Sequence, residues 1–87
     1  MIQIVVAGGG WVFVGKFTME TQTIEHAWCI RIWGTSRGLG ELINGPTEKT
    51  ILDPMGTLHL ERFLFTMEVN QDAWIGLEPV ISEPEGS

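Results

Sequence analysis

Residues 24–33 constrain the fold most, because their apolar and polar side chains alternate with a period of two. This period is typical of a β-strand with two different faces. One face is apolar and consists of Ile24, Trp28, Ile30 and Ile32, whereas the other presents Glu25, Cys29, Arg31 and Trp33. We expect the first face to be buried and the second to be the one on which a ligand could lie.

Short apolar runs separated by turn residues predict further strands. Together with residues 24–33, the predicted strands are residues 2–7, 11–18, 50–53, 57–69 and 73–81. Residues 53–56 have the composition of a β-turn, with Pro54 at its second position. The side-chain pattern changes phase at residues 61–62, which indicates either a β-bulge or a sharp bend between two strands.

One segment, residues 38–44, has the pattern of a helix, with Ser36 as its predicted N-cap and an Asn-Gly-Pro sequence at its end. The chain is therefore predicted to be mainly β: a small curved antiparallel sheet or barrel with one short helix near residues 38–44. Residues 1–81 are predicted to form a single β-rich domain, and residues 82–87 a disordered acidic tail.

The small size of the chain favours self-association. A protein of 87 residues buries only roughly 60–65% of the surface that its unfolded form exposes. Oligomerisation is a common remedy for so small a core. Residues 11–18 carry apolar side chains on both strand faces, which favours a subunit interface on one of them. We therefore expect a homo-oligomer.

Charge and cysteine content limit the partners. The formal net charge of −6 argues against general binding to nucleic-acid polymers, which depends on neutralising phosphates with Lys and Arg. The single cysteine, Cys29, excludes an intramolecular disulfide and a Cys-based zinc site. No stretch approaches a membrane-spanning length, and residues 1–7 lack the basic residues of a signal peptide. We expect a cytoplasmic protein with no membrane partner.

A loop after the strand of residues 24–33 is the leading candidate for a binding site. It combines glycines, two hydroxyls and an arginine immediately before the predicted helix, and such a loop offers amides and a positive charge to an anion. The alternative is an ordinary strand-to-helix connection with a solvent-facing arginine. The predicted ligand-binding residues are Arg31, Trp33, Gly34, Thr35, Ser36, Arg37 and Gly38. Trp33 is interpreted either as a stacking surface for a planar base or as part of a core or subunit interface.

Nothing in the sequence indicates catalysis or a bound cofactor. His26 and His59 lack the spacing of a metal pair and have no cysteine partner, so they are interpreted as structural. Glu25, Glu41 and Glu61 cannot be placed as an acid–base pair from sequence. We predict no catalytic residues, no metal and no cofactor.

Part of the chain resembles a group of small phage and prophage proteins of unknown function. The matching segments are Trp11-Val12-Phe13-Val14-Gly15, Arg31-Ile32-Trp33 and Leu39-Gly40-Glu41-Leu42, within residues 3–70. Small phage proteins of this size include sponges that sequester the nucleotide signals of bacterial immune systems such as Thoeris and CBASS. The resemblance implies that class as a candidate.

Two functional hypotheses follow. The first is a non-enzymatic, homo-oligomeric binding protein that sequesters a small phosphorylated ligand, a nucleotide immune signal of the bacterial host, as phage counter-defence. The alternative is a phage protein-interaction or virion-associated module without a small-molecule ligand.

Overall fold

The computed structural model describes residues 1–75, and they form one five-stranded antiparallel sheet with short helices. The strands are β1 (Ile2–Val6), β2 (Val12–Thr18), β3 (Thr23–Ile32), β4 (Ile51–His59) and β5 (Phe65–Glu68). Gly8–Gly10 and Leu39–Asn44 form 3₁₀ helices, and Gln71–Ile75 forms an α-helix, α1. The strand order is β4-β3-β2-β1-β5. The prediction of a mainly β, antiparallel sheet with a short helix near residues 38–44 is confirmed, but the sheet does not close into a barrel.

Each face of the sheet carries its own core, because alternate residues of β2 point to opposite sides. Val12 and Val14 belong to one buried cluster, and Phe13 and Phe17 to another. We call these the first and the second core. The first core is Ile2, Ile4, Val12, Val14, Trp28, Ile30, Leu42, Val69 and Trp74, and the second is Val5, Phe13, Phe17, Ile24, Ala27 and Cys29.

Residues 60–64 cross the sheet over the second core and connect its two edges. The Leu60 amide donates to the Gln22 carbonyl oxygen at one end, and the Leu64 amide donates to the Val6 carbonyl oxygen at the other. Between them, the ring of Phe63 packs edge-on against Phe17 at a centroid distance of 5.3 Å. The phase change at residues 61–62 thus separates two strands, the second of the two interpretations offered above.

The chain therefore covers both faces of β2 by itself. Leu42 and Trp74 cover the first core, and residues 60–64 cover the second. The premise that so short a chain cannot cover both faces is wrong for β2, but Trp11 stays 55% exposed, so a subunit interface on residues 11–18 stays a prediction. Oligomerisation itself stays a prediction.

Two predicted elements are wrong. Residues 53–56 lie inside β4 and form no turn, and Pro54 pairs with Trp28 there. Proline is tolerated because β4 is an edge strand, where one side of the ladder needs no N–H donor. Residues 73–75 belong to α1 and not to an edge strand. The remainder of that predicted strand, residues 76–81, and the predicted tail, residues 82–87, lie outside the described residues.

A β-bulge in β3 fits against a glycine in β2. Val14 pairs with Trp28 but Lys16 pairs with Glu25, so Gly15 faces one extra residue of β3. The bulge is at His26, whose backbone has a φ of 52°. A Cβ on Gly15 would lie 2.6 Å from Cγ2 of Ile24, so only glycine fits here. Among residues 1–75, no helix is long and apolar enough to cross a membrane.

Candidate functional site

The predicted loop follows β3 and is held against residues 47–50. Gly34 has a φ of 66°, and a side chain there would overlap the main chain of Lys49 and Thr50. This conformation and this close approach both require glycine. The sequence predicted a loop that contains glycines, and the structure shows why Gly34 is needed and against which segment it packs.

Two threonine hydroxyls fasten the loop. The Thr47 hydroxyl donates to the Gly34 carbonyl oxygen at 2.6 Å, and the Thr50 hydroxyl donates to the Trp33 carbonyl oxygen at 2.6 Å. The Thr50 hydroxyl also accepts from the Thr47 amide at 2.8 Å. Sequence reasoning missed both threonines, because only the folded chain places them beside residues 33–34.

The amides of the loop bind an oxyanion, and that oxyanion belongs to the chain itself. The main-chain N–H groups of Ser36 and Arg37 both donate to Oε1 of Glu41, each at 3.1 Å. Ser36 therefore does not cap the helix with its hydroxyl as predicted. The N-cap position is Gly38, which makes no side-chain capping bond. Glu41 lies in the first turn of the 3₁₀ helix, where a carboxylate reaching back to free amides is a recognisable sequence signal.

An open pocket of about 420 Å³ lies over this arrangement. Its lining residues are Gly34, Thr35, Ser36, Glu41, Thr47, Glu48 and Lys49. Three of the predicted site residues therefore border one pocket. The pocket brings them together with three charged residues that the prediction left out, Glu41, Glu48 and Lys49.

The remaining predicted residues lie around or away from this pocket. The exposed Arg37 contributes its amide, and within residues 1–75 its guanidinium makes no hydrogen bond or ion pair. The carbonyl oxygen of Gly38 accepts from the Glu41 amide at 3.2 Å. The Trp33 side chain is 40% exposed.

Arg31 is committed elsewhere. Its Nε donates to Oδ2 of Asp53 at 2.7 Å, on the neighbouring strand β4. The hydrogen bond to Asp53, and then its charge, raise the pKa of Arg31. Arg31 does not line the pocket over residues 34–38, and its role in ligand binding stays a prediction.

Arg31 instead borders a second, larger cleft of about 520 Å³. Trp11 and Met55 expose 55% and 41% of their surfaces at this cleft. The Trp11 ring stacks on Phe13 with 6.0 Å between centroids and an interplanar angle of 7°. Cys29 also lines the cleft. Burial raises the pKa of its thiol, the negative charge of Asp53 raises it further, and the positive charge of Arg31 lowers it. This second cleft is mostly apolar, with one ion pair at its wall.

Metal-binding clusters and the state of the Cys29 thiol bear on the chemistry of the described residues. Among the described residues, no three His, Cys, Asp or Glu side chains lie close enough to hold a metal ion. The raised pKa of Cys29 keeps its thiol protonated near neutral pH, which is the opposite of an activated nucleophile.

Comparisons with protein-family models, with curated proteins and with solved structures find no match to this chain. The resemblance to small phage proteins therefore stays a prediction.

Proposed function

We propose that the protein is a non-enzymatic binding protein that takes a small phosphorylated ligand in the pocket over residues 34–38. The observation that supports this is the convergence of the Ser36 and Arg37 amides on a single carboxylate oxygen, at 3.1 Å each, at the wall of an open pocket. A phosphate oxygen has the same demand for two N–H donors as the Glu41 carboxylate. In this proposal the ligand displaces Glu41.

The other pocket residues have roles in this proposal that follow from their chemistry. The hydroxyls of Thr35 and Ser36 are further donors to phosphate, and Lys49 supplies positive charge. Arg37 is the second cation, since its exposed guanidinium is available in the described part of the chain. Arg31 has no phosphate contact in this scheme, because Asp53 holds it.

Two carboxylates would repel an anionic ligand, and this repulsion determines how much charge and how many contacts the ligand needs. Glu41 competes for the amides, and Glu48 lies in the same pocket. A singly charged anion gains little against this competition. The favoured ligand therefore carries more than one negative charge and adds further contacts, as a nucleotide with its phosphates and planar base does, with Trp33 as a stacking surface.

The resemblance to phage proteins adds a biological role to the proposal. In this role the protein is a sponge that sequesters a nucleotide immune signal in the cytoplasm of the bacterial host. Sequestration requires tight binding without turnover, so the ligand should be recovered unchanged.

Isothermal titration with inorganic phosphate and with a panel of cyclic and ADP-ribose-type nucleotides tests the proposal. Glu41→Gln removes the competing charge and should tighten binding of the best nucleotide by about 10-fold, the effect of roughly 1.4 kcal/mol. Glu48→Gln is the matched control, because it removes the same charge from the same pocket without touching the amides. Chromatography of heat-released nucleotide should recover it intact.

Two results would contradict the proposal. The first is that no phosphorylated compound binds. The second is that Glu41→Gln and Glu48→Gln change the affinity equally, since a general charge effect would then account for both.

A second candidate function is a protein-interaction module. The exposure of Trp11 and Met55 at the 520 Å³ cleft favours it, because aromatic and Met side chains are enriched at interfaces. Under this alternative, nucleotides do not bind. In affinity capture from host extract, the wild-type protein should then bind one partner protein reproducibly, and the Trp11→Ala variant should fail to bind that partner.

A further inference from the structure

The two edges of the sheet differ in how well they are protected against pairing. Edge strand β4 contains Pro54, has irregular register with β3, and includes Gly56 at a φ of 74°. Proline and bulges on an edge strand discourage the addition of another strand. The opposite edge, β5, pairs with β1 in regular register and contains neither proline nor lysine.

The backbone of β5 presents hydrogen-bonding groups outward. The Val6 carbonyl oxygen accepts from the Leu64 amide, so Val6 directs its main-chain groups toward β5. Phe65 and Met67 of β5 pair with Val6 and Ile4, so their main-chain N–H and C=O groups point toward β1. By alternation, Thr66 and Glu68 direct their N–H and C=O groups to the outer edge.

The outer edge of β5 is also apolar. Leu64 and Phe65 expose 69% and 49% of their surfaces. Phe65 lies on the same face as Met67, which packs against the first core. Within residues 1–75, no strand lies beside the outer edge of β5, and outward main-chain groups next to exposed apolar side chains form a template for another strand.

We propose that two copies of this chain associate through antiparallel pairing of their β5 strands about a two-fold axis at Thr66. This register pairs Thr66 with its own counterpart and places Phe65 of each copy opposite Met67 of the other. The first core of one copy then continues into that of the next. Leu64 lies opposite Glu68, so the two Glu68 carboxylates do not face each other.

A second copy fits this edge better than an unrelated strand because the edge is self-complementary. A two-fold axis satisfies the outward groups of Thr66 in both copies at once and covers both Phe65 rings. The interface is separate from the pocket over residues 34–38. Self-association and ligand binding can therefore fail independently.

Sedimentation equilibrium at micromolar concentrations of the full chain tests this proposal. Moderate salt, on the order of 0.15 M, screens repulsion between two acidic copies to about 8 Å. The wild type should sediment as a dimer. Phe65→Lys puts a charge on the exposed edge and should weaken the dimer at least about 10-fold, because the ammonium must then lose water opposite the apolar Met67 of the other copy.

Two further variants sharpen the experiment. Thr66→Pro removes one outward N–H while leaving the ladder to β1 intact, and should weaken the dimer to a similar degree. Met19→Lys is the matched control, because Met19 is 58% exposed and lies between β2 and β3, away from β5. It adds the same charge and should leave the dimer unchanged. Circular dichroism confirms that each variant is folded.

The proposal is overturned if the wild type is a monomer throughout this concentration range. It is also overturned if Met19→Lys dissociates the dimer as much as Phe65→Lys does, because the interface would then lie elsewhere.

Discussion

Trp74 and Leu42 are joined by a buried hydrogen bond, in which the indole N–H of Trp74 donates to the Leu42 carbonyl oxygen at 2.9 Å. The two residues are 1% and 0% exposed. This bond ties α1 to the 3₁₀ helix Leu39–Asn44, so the two helical segments cover the first core as a unit.

Trp74→Phe tests this connection. The substitution removes the indole N–H, so that the Gly45 amide at 3.0 Å is left as the donor to the Leu42 carbonyl oxygen, and it removes part of a packed ring. The expected loss in the free energy of unfolding is roughly 2–4 kcal/mol, measured by urea denaturation. Trp33→Phe is the control, since Trp33 is 40% exposed and should change stability much less. Equal losses in both variants would show that the buried bond contributes nothing.

Gly15→Ala should destabilise the sheet at the bulge. The new Cβ would lie 2.6 Å from Cγ2 of Ile24 and 2.9 Å from the Glu25 carbonyl oxygen, so the strands must separate. We expect a loss of roughly 1–3 kcal/mol by thermal or urea denaturation. Gly40→Ala has no atom within 4 Å of its Cβ and should be neutral or slightly stabilising.

Thr50→Val should loosen the candidate site. Valine keeps the shape of threonine but removes the hydroxyl that donates to the Trp33 carbonyl oxygen and accepts from the Thr47 amide. A loss of about 1–2 kcal/mol in unfolding free energy is expected. Thr50→Ser retains the hydroxyl and should retain most of the stability. If serine and valine behave alike, the hydroxyl does not fasten the loop.

Arg37→Ala should weaken binding of the best nucleotide about 10- to 100-fold, the range that one charge-assisted hydrogen bond to phosphate provides. Arg31→Ala is the matched control, because its guanidinium is engaged by Asp53 outside the pocket. It should leave the affinity unchanged in the same titration. A reversal of these two effects would move the phosphate to the second cleft.

The thiol of Cys29 should react slowly and become a source of instability at alkaline pH. Burial raises its pKa in the folded state, so the folded protein holds the proton more tightly than the unfolded chain. The stability that the protonated thiol contributes is fully present below the pKa of the thiol in the unfolded chain, about 8.5, and is lost as the pH rises through its pKa in the folded protein. Iodoacetamide labelling and urea titrations across this range should both show the change. Cys29→Ala should flatten this part of the stability profile.

Local patterns predicted most of the strands but could not predict their order. The period of two in residues 24–33 predicted β3, which spans Thr23–Ile32. The predicted faces are wrong, because the bulge at His26 puts Ile24 in the second core together with the buried Cys29, whereas Ile32 is 45% exposed. No local pattern indicates that β5 pairs with β1, because that pairing joins residues distant in sequence, such as Gln3 and Glu68. Pro54 led to the wrong prediction of a turn. Proline is tolerated in β4 because β4 lies at the edge of the sheet, and the position of a strand in the sheet cannot be read from local sequence.

The helix α1 and the candidate site depended on contacts that only the fold supplies. The Gln71 side chain makes two hydrogen bonds of 2.9 Å with the main chain of Ile2. This contact helps to anchor α1, whose residues 73–75 were predicted to be part of a strand. The loop at residues 34–38 was identified from its composition. Its threonine partners come from another segment, so their contacts could not be read from local sequence.

The crossing of residues 60–64 has a consequence for synthesis on the ribosome. Strands β1, β2 and β3 can pair as each emerges, since neighbours in sequence are neighbours in the sheet. The open edge of β1 and the Phe17 side of the sheet must wait for Phe63 and β5. A nascent chain that has reached only residue 59 therefore exposes both an apolar surface and an unpaired strand, the two features that trigger aggregation and recruit chaperones. Synthesis of residues 60–68 therefore removes both features, because this segment covers the Phe17 side and pairs with the edge of β1.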